Sequence, residues 1–228
     1  KGGRQTTARH IMNDGMSMTL EDLLSENTAA DITEADAAEA PTYNSTAETR
    51  AAQCSIGWNP WHGCTKYSPG CEHCYVYRRD GSVGRDASEV TKNKTFGALV
   101  ETKKNGGYKI PSGTHVYACM TSDFFLDKAD IWRADMWKMI KQRSDLKFTI
   151  ITKRILRFEE CIPDDWGGGY DNVCVVCTVE NQNECDKRLP VFMKLPIKHK
   201  QITCEPLLGK IDLSRYLDST LGGVVVGG

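Results

Sequence analysis

Cys64, Cys71 and Cys74 lie in the run Trp58-Asn-Pro-Trp-His-Gly-Cys-Thr-Lys-Tyr-Ser-Pro-Gly-Cys-Glu-His-Cys-Tyr75, with six residues between the first two and two between the last pair. Thiolates are ligands for zinc and for iron–sulfur clusters. A structural zinc closes its shell with four protein ligands, and His62 or His73 is available as the fourth. Three thiolates alone hold three irons of a four-iron cluster and leave the last iron open to chemistry. On spacing alone, zinc and cluster stand level. Gly63 and Gly70 suit both, because a residue without Cβ lets the backbone wrap closely around a metal centre.

The elements around this loop alternate in type. Short apolar, β-branched runs at Ser55–Trp58, His115–Met120, Phe148–Ile151, Val173–Val179, Gln201–Cys204 and Val224–Val226 read as buried strands. Helices are expected over Ala129–Arg143, where Trp132, Met136, Met139 and Ile140 form an apolar stripe, and over Glu72–Arg79, Gln182–Met193 and Leu213–Leu217. Strands alternating with helices predict an α/β fold with a parallel sheet, either open and doubly wound or a partial barrel. Ligands of such folds sit at the carboxyl ends of the strands. Polar residues collect there: Asp123, Lys153, Arg154, Glu180 and Glu205. The cysteine loop follows the first strand and belongs to the same rim. Cys174 and Cys177, three apart on a strand, point to opposite faces and are read as strand cysteines, not as a metal pair. Cys119 and Cys204 are read the same way. Arg78 and Arg79, and the tract Lys194–Lys200, are read as solvated surface.

The chain has 228 residues, 40% hydrophobic and 26% charged, which allows one sizeable core. Residues 1–53 carry four Lys/Arg against nine Asp/Glu, and residues 54–228 carry 25 against 21. The first stretch reads as an acidic, disordered tail with one short helical signal over Ser17–Leu24. The second reads as the folded, mildly basic domain, which permits an anionic ligand or nucleic acid without requiring either. Ten unevenly spaced cysteines are not a disulfide framework. With no apolar leader and no run of membrane length, a reducing cytoplasm and no membrane partner are expected. Both ends read as cut from something longer.

The string from Trp58 through Tyr75 resembles the signature of a phage-protein family, the gp thirty-seven/gp sixty-eight family, related to the radical S-adenosylmethionine superfamily. The likeness continues through Ser122-Asp-Phe-Phe125, Thr152-Lys-Arg154, Val179-Glu180, Arg188, Cys204-Glu-Pro-Leu-Leu-Gly209 and Val226-Gly-Gly228, and so spans 54–228. It implies a partial (β/α)6 barrel, a [4Fe-4S] cluster on Cys64, Cys71 and Cys74, and S-adenosylmethionine. Lys153 or Arg154 would suit the carboxylate of that cofactor, and Asp123, Glu180 or Glu205 its amine and ribose. The enzyme so implied draws electrons from a flavodoxin- or ferredoxin-like reductant. Its substrate is unassigned, with a nucleic acid or nucleotide in keeping with the basic domain. The alternative is a non-catalytic zinc or iron–sulfur module in a phage or host-interaction protein. Two features depart from the commonest superfamily loop: the first spacing is six residues instead of three, and His73 stands before the last cysteine where an aromatic is usual. The family pattern also continues past the last glycines, so a C-terminal part of the site is expected to be missing.

Overall fold

The computed structural model describes residues 54–227; the tail expected over 1–53 lies outside the described residues. The chain enters through β1 (Ser55–Trp58). It then forms a short pair, β2 (Trp61–His62) and β3 (Thr91–Lys92), on either side of helix α1 (Tyr75–Ser82). Strand and helix alternate from there: β4 (His115–Ala118), α2 (Asp130–Gln142), β5 (Lys147–Thr152), the single turn α3 (Phe158–Cys161), β6 (Val173–Thr178), α4 (Gln182–Phe192), β7 (His199–Cys204) and β8 (Leu221–Val226).

The main sheet has the order β1-β4-β5-β6-β7-β8, and every neighbouring pair is parallel. Each strand lies beside its predecessor. The order never reverses, so the doubly wound alternative is excluded, since that fold requires a switch point. All carboxyl ends of this sheet lie along one edge. The antiparallel β2/β3 pair was not foreseen; two residues per strand leave no periodic signal.

One face of the sheet builds the core. Val116, Phe148, Ile150, Val175, Cys177 and Ile202 are buried there with Met136, Trp137, Met139 and Ile140 of α2. Trp132 is only partly buried and packs on Trp61, with ring centroids 6.0 Å apart. Arg133 is buried in the same helix but satisfied, donating through Nε to Phe124 O at 3.1 Å and through Nη2 to Leu126 O at 2.5 Å. Helix α4 begins at Asn181, whose side chain accepts from Glu184 N at 3.0 Å, an N-cap that satisfies one orphan backbone donor.

Three sequence expectations are corrected. Leu213–Leu217 is not an α-helix but a single 3-10 turn over Ser214–Tyr216; five residues cannot repay helix nucleation. The helix expected over Glu72–Arg79 runs over Tyr75–Ser82 instead, because Pro69–Cys71 forms its own 3-10 turn. Lys200 is not a surface turn: it lies in β7, 6% exposed, with its ammonium donating to Met193 O at 2.7 Å. Cys174 and Cys177 do face opposite ways, Cys177 into the core and Cys174 into an open cavity on the other face.

Candidate metal and ligand pocket

The segment from Asn59 to Cys64 is fastened before it reaches the first cysteine. The Asn59 side chain accepts from Thr121 N at 2.9 Å, and Asn93 donates to Asn59 O at 2.7 Å. The Trp61 indole donates to Ser122 Oγ at 2.9 Å, and that hydroxyl donates to Gly63 O at 2.5 Å. Gly63 has φ +94°, and a Cβ there would collide with the Glu89 carbonyl; only glycine fits this close approach. Cys64 is then held by its own N–H on Ala87 O at 2.8 Å and by the Tyr77 hydroxyl on its carbonyl at 2.5 Å. His62 Nε2 is engaged with Asp80 of α1. Asn59, Trp61, His62 and Gly63 therefore all help to position Cys64.

The far half of the loop is held by Glu180, at the end of β6. One carboxylate oxygen accepts from Ser68 Oγ and from Gly70 N at 3.2 Å; the other accepts from Arg188 Nη1 at 2.7 Å. Glu180 and Arg188 are both 0% exposed. A Cβ on Gly70 would lie 3.1 Å from the Glu180 carboxyl, so the turn that presents Cys71 sits directly on this carboxylate. Burial pushes the Glu180 pKa up, but the hydrogen bonds from Ser68 and Arg188 outweigh it and hold the carboxyl below its usual range.

Cys64, Cys71 and Cys74 line one cavity of about 250 Å³. Its other wall is the carboxyl edge of the sheet: Asp123, Lys153, Arg154, Thr178 and Glu205. Among the described residues, no three His, Cys, Asp or Glu converge as ligands of a single ion. His62 is turned away onto Asp80 and does not line the cavity, so a Cys3His closure through its Nε2 would have to break that buried pair. Four thiols line the cavity, because Cys119, read from the sequence as a strand cysteine, lies one residue past β4 at φ +60° and joins the three loop cysteines; Arg154 is beside them, its Nη1 3.7 Å from Cys64 Sγ. Burial pushes the Cys64 thiol up to about 11, with Arg154 pulling the other way. A sulfur so placed favours losing its proton to a metal over carrying free charge. The set fits a thiolate-ligated cluster.

The five rim residues fall into two groups. Asp123 is fully engaged: Oδ1 accepts from Thr152 Oγ1 at 2.8 Å and Phe125 N at 2.9 Å, and Oδ2 from Lys153 N at 3.0 Å. Arg154 Nη2 donates to Thr65 O at 2.6 Å and Thr65 Oγ1 at 2.9 Å, Nη1 lies 3.5 Å from Asp123, and the guanidinium covers the Tyr67 ring at 4.9 Å. Glu180 sits behind the loop and does not line the cavity. These three build the pocket. Lys153 and Glu205 line it with charge to offer: among the described residues the Lys153 ammonium has no partner, and Glu205 has only a long contact from Thr203 Oγ1 at 3.3 Å. Sequence reasoning missed Thr121 and Thr178 as lining residues. Their buried hydroxyls have no hydrogen-bond partner among the described residues, and Thr178 is 1% exposed. A buried unsatisfied hydroxyl costs about 1–3 kcal/mol, and at the cavity wall these two are placed to hydrogen-bond water or a ligand in that space. The only sequence signal was that Thr178 ends a strand.

A family model described as a protein of unknown function (DUF5131) matches residues 48–228, and the chain belongs to that family. No curated protein and no solved structure matches the chain. No described helix is long and apolar enough to cross a membrane.

Proposed function

We propose that the chain is an iron–sulfur enzyme that binds S-adenosylmethionine, with its one-way parallel sheet as the wall of a partial (β/α)6 barrel. The observation that carries this reading is the shared cavity. Three cysteines of one loop line the same space as unengaged polar groups at the carboxyl ends of parallel strands. Cys64, Cys71 and Cys74 would hold a [4Fe-4S] cluster. Reduced by a flavodoxin- or ferredoxin-like protein, a cluster held there would supply the one electron that reductive cleavage of the S-adenosylmethionine sulfonium requires.

The protein's own residues do the rest. Lys153 offers an ammonium for the cofactor carboxylate, and Glu205 a carboxylate for its amine or ribose. Thr178 and Thr121 offer hydroxyls to polar atoms of the same ligand. Glu180, Arg188 and Arg154 keep the cysteine loop seated on the sheet edge, so the ligand contacts are preorganised. The exposed Met120 and half-buried Ile151 side chains line the same space and give it an apolar side.

The test is turnover without substrate. Anaerobically reconstituted protein with dithionite should convert S-adenosylmethionine to 5′-deoxyadenosine and methionine, and Cys71→Ala should not. A protein that carries a full cluster and yields no 5′-deoxyadenosine contradicts the enzyme reading and favours a structural metal module.

A further inference from the structure

The sheet has a second face. Along the strands, residues alternate between the two sides, and the side away from the core carries Tyr117, Thr149, Cys174, Val176, Gln201 and Thr203. These line an open cavity of about 640 Å³, within the range of small-molecule sites. Parallel sheets are ordinarily apolar on both faces. Here the face is half polar across four strands, which a structural role does not call for. The cavity shares Ile151, Thr203 and Glu205 with the thiol pocket, so a molecule lying in it has one end at the cysteines.

Its lining is layered by register. Tyr117, Thr149, Cys174 and His199 occupy one level. Ile151, Val176 and Gln201 form the next, and Thr203 with Val225 the level beside the thiol pocket. His115, one level further from the thiol pocket and level with Lys147, stacks on Tyr117, with ring centroids 4.6 Å apart and 21° between planes. His115 Nε2 is hydrogen-bonded to Thr149 Oγ1 at 2.7 Å, which fixes the ring pair. Among the described residues, neither the Tyr117 hydroxyl nor the Gln201 amide has a partner. Lys147 stands at the far end beside His115. Asp171 there is engaged with Lys198, so the charge left to a ligand at that end is positive.

We infer that this trough binds a nucleoside or nucleotide, its base stacked beside the His115–Tyr117 pair and read by the Gln201 amide, its sugar directed toward Thr203 and the thiol pocket. A flat ring with donor and acceptor edges matches fixed aromatic rings plus a primary amide, Ile151 and Val176 of the middle level accommodate the uncharged body of the ligand, and the Lys147 ammonium donates to a phosphate where the ligand carries one. The inference rests on the reading of the thiol pocket only for which end of the ligand reacts.

The test is calorimetric titration of the full chain with adenosine, guanosine, cytidine and uridine, with ribose and leucine as controls. At least one nucleoside should bind one per chain, and neither control should. Tyr117→Ala should weaken binding by roughly tenfold or more, as loss of a stacking platform does, and Gln201→Leu should weaken it and flatten the preference among bases. Tyr117→Phe keeps the ring and should bind nearly as wild type, which covers the case where the alanine variant misfolds. The metal-free wild-type chain should bind the nucleoside as the metal-loaded one does, so this result stands whether or not the chain proves to be an S-adenosylmethionine enzyme. Absence of nucleoside binding overturns the inference. So does binding that ignores Tyr117→Ala and Gln201→Leu, or binding lost when the metal is removed, which would place the ligand in the thiol pocket.

Discussion

At the carboxyl edge of the sheet, Asp123, Arg154 and Glu180 are buried and engaged on nearly every polar atom, whereas Lys153 and Glu205 reach the same cavity with their charges largely unused. The first set joins segments that are distant in sequence: Asp123 ties the turn after β4 to the end of β5, Arg154 ties β5 to the cysteine loop, and Glu180 ties β6 to the turn before Cys71. The second set joins nothing. The difference separates groups that make the pocket from groups left over for a ligand, although all five share chemistry and position in the sequence. Replacing one group from each set should therefore produce unlike effects.

The largest effect is expected at the buried pair. Arg188→Ala leaves Glu180 charged and without its guanidinium in a site with no access to water, which costs about 3–5 kcal/mol. Chemical denaturation should show that loss, and the cysteine loop should become more reactive toward thiol reagents in the metal-free protein. An Arg188→Ala protein of wild-type stability would mean that the pair is not what seats the loop.

A pH dependence follows from the same carboxylate. The Glu180 pKa is lower in the folded protein than its ordinary value of 4.5. Its contribution to stability is therefore complete above that value and is lost as pH falls through the lower, folded value. Metal-free wild type should lose stability on that acid limb, and Glu180→Gln, less stable near neutrality, should lose less of what it has. Denaturation midpoints at a series of pH values between neutrality and the acid limit measure this.

The smallest effect on the fold, and the most specific for ligand, is expected at Lys153. Lys153→Ala should leave stability and metal content unchanged and weaken S-adenosylmethionine by about 1.5–3 kcal/mol, roughly ten- to a hundredfold in Kd. If Lys153→Ala destabilises the protein as Arg188→Ala does, the division between building and binding charges is wrong.

Much of this arrangement was legible in the sequence, for identifiable reasons. Five of the six main strands are marked by β-branched runs whose bounds lie near those observed, and β8 by its Val224–Val226 run. Their alternation with helices fixes a parallel sheet. A parallel sheet in turn sends every strand-end polar residue to one edge, so the convergence of Asp123, Lys153, Arg154 and Glu205 on the cysteines could be anticipated. Their division of labour could not. Whether a carboxylate faces a cavity or a backbone N–H depends on loop paths such as the Ser68–Cys71 turn, which no periodicity encodes. Glu180 shows this most clearly: read as a ligand group, it lies behind the loop, where Gly70 leaves room that a Cβ, 3.1 Å from the carboxyl, would crowd. Lys200 shows it again, a basic residue in a basic tract that is nonetheless buried because its aliphatic stem fits and one carbonyl takes its ammonium. The open face of the sheet was likewise hidden, since alternation identifies two faces without saying which one helices cover.

The central claim is that Cys64, Cys71 and Cys74 carry a cluster with one iron open to S-adenosylmethionine. Electron paramagnetic resonance of the anaerobically purified, dithionite-reduced protein, recorded before and after adding S-adenosylmethionine, tests it most directly. The account predicts about four irons and four sulfides per chain, a reduced-cluster signal that changes shape when S-adenosylmethionine is added, and loss of both iron and signal in Cys71→Ala. A colourless protein holding one zinc per chain, or a reduced cluster whose signal is indifferent to saturating S-adenosylmethionine, contradicts it.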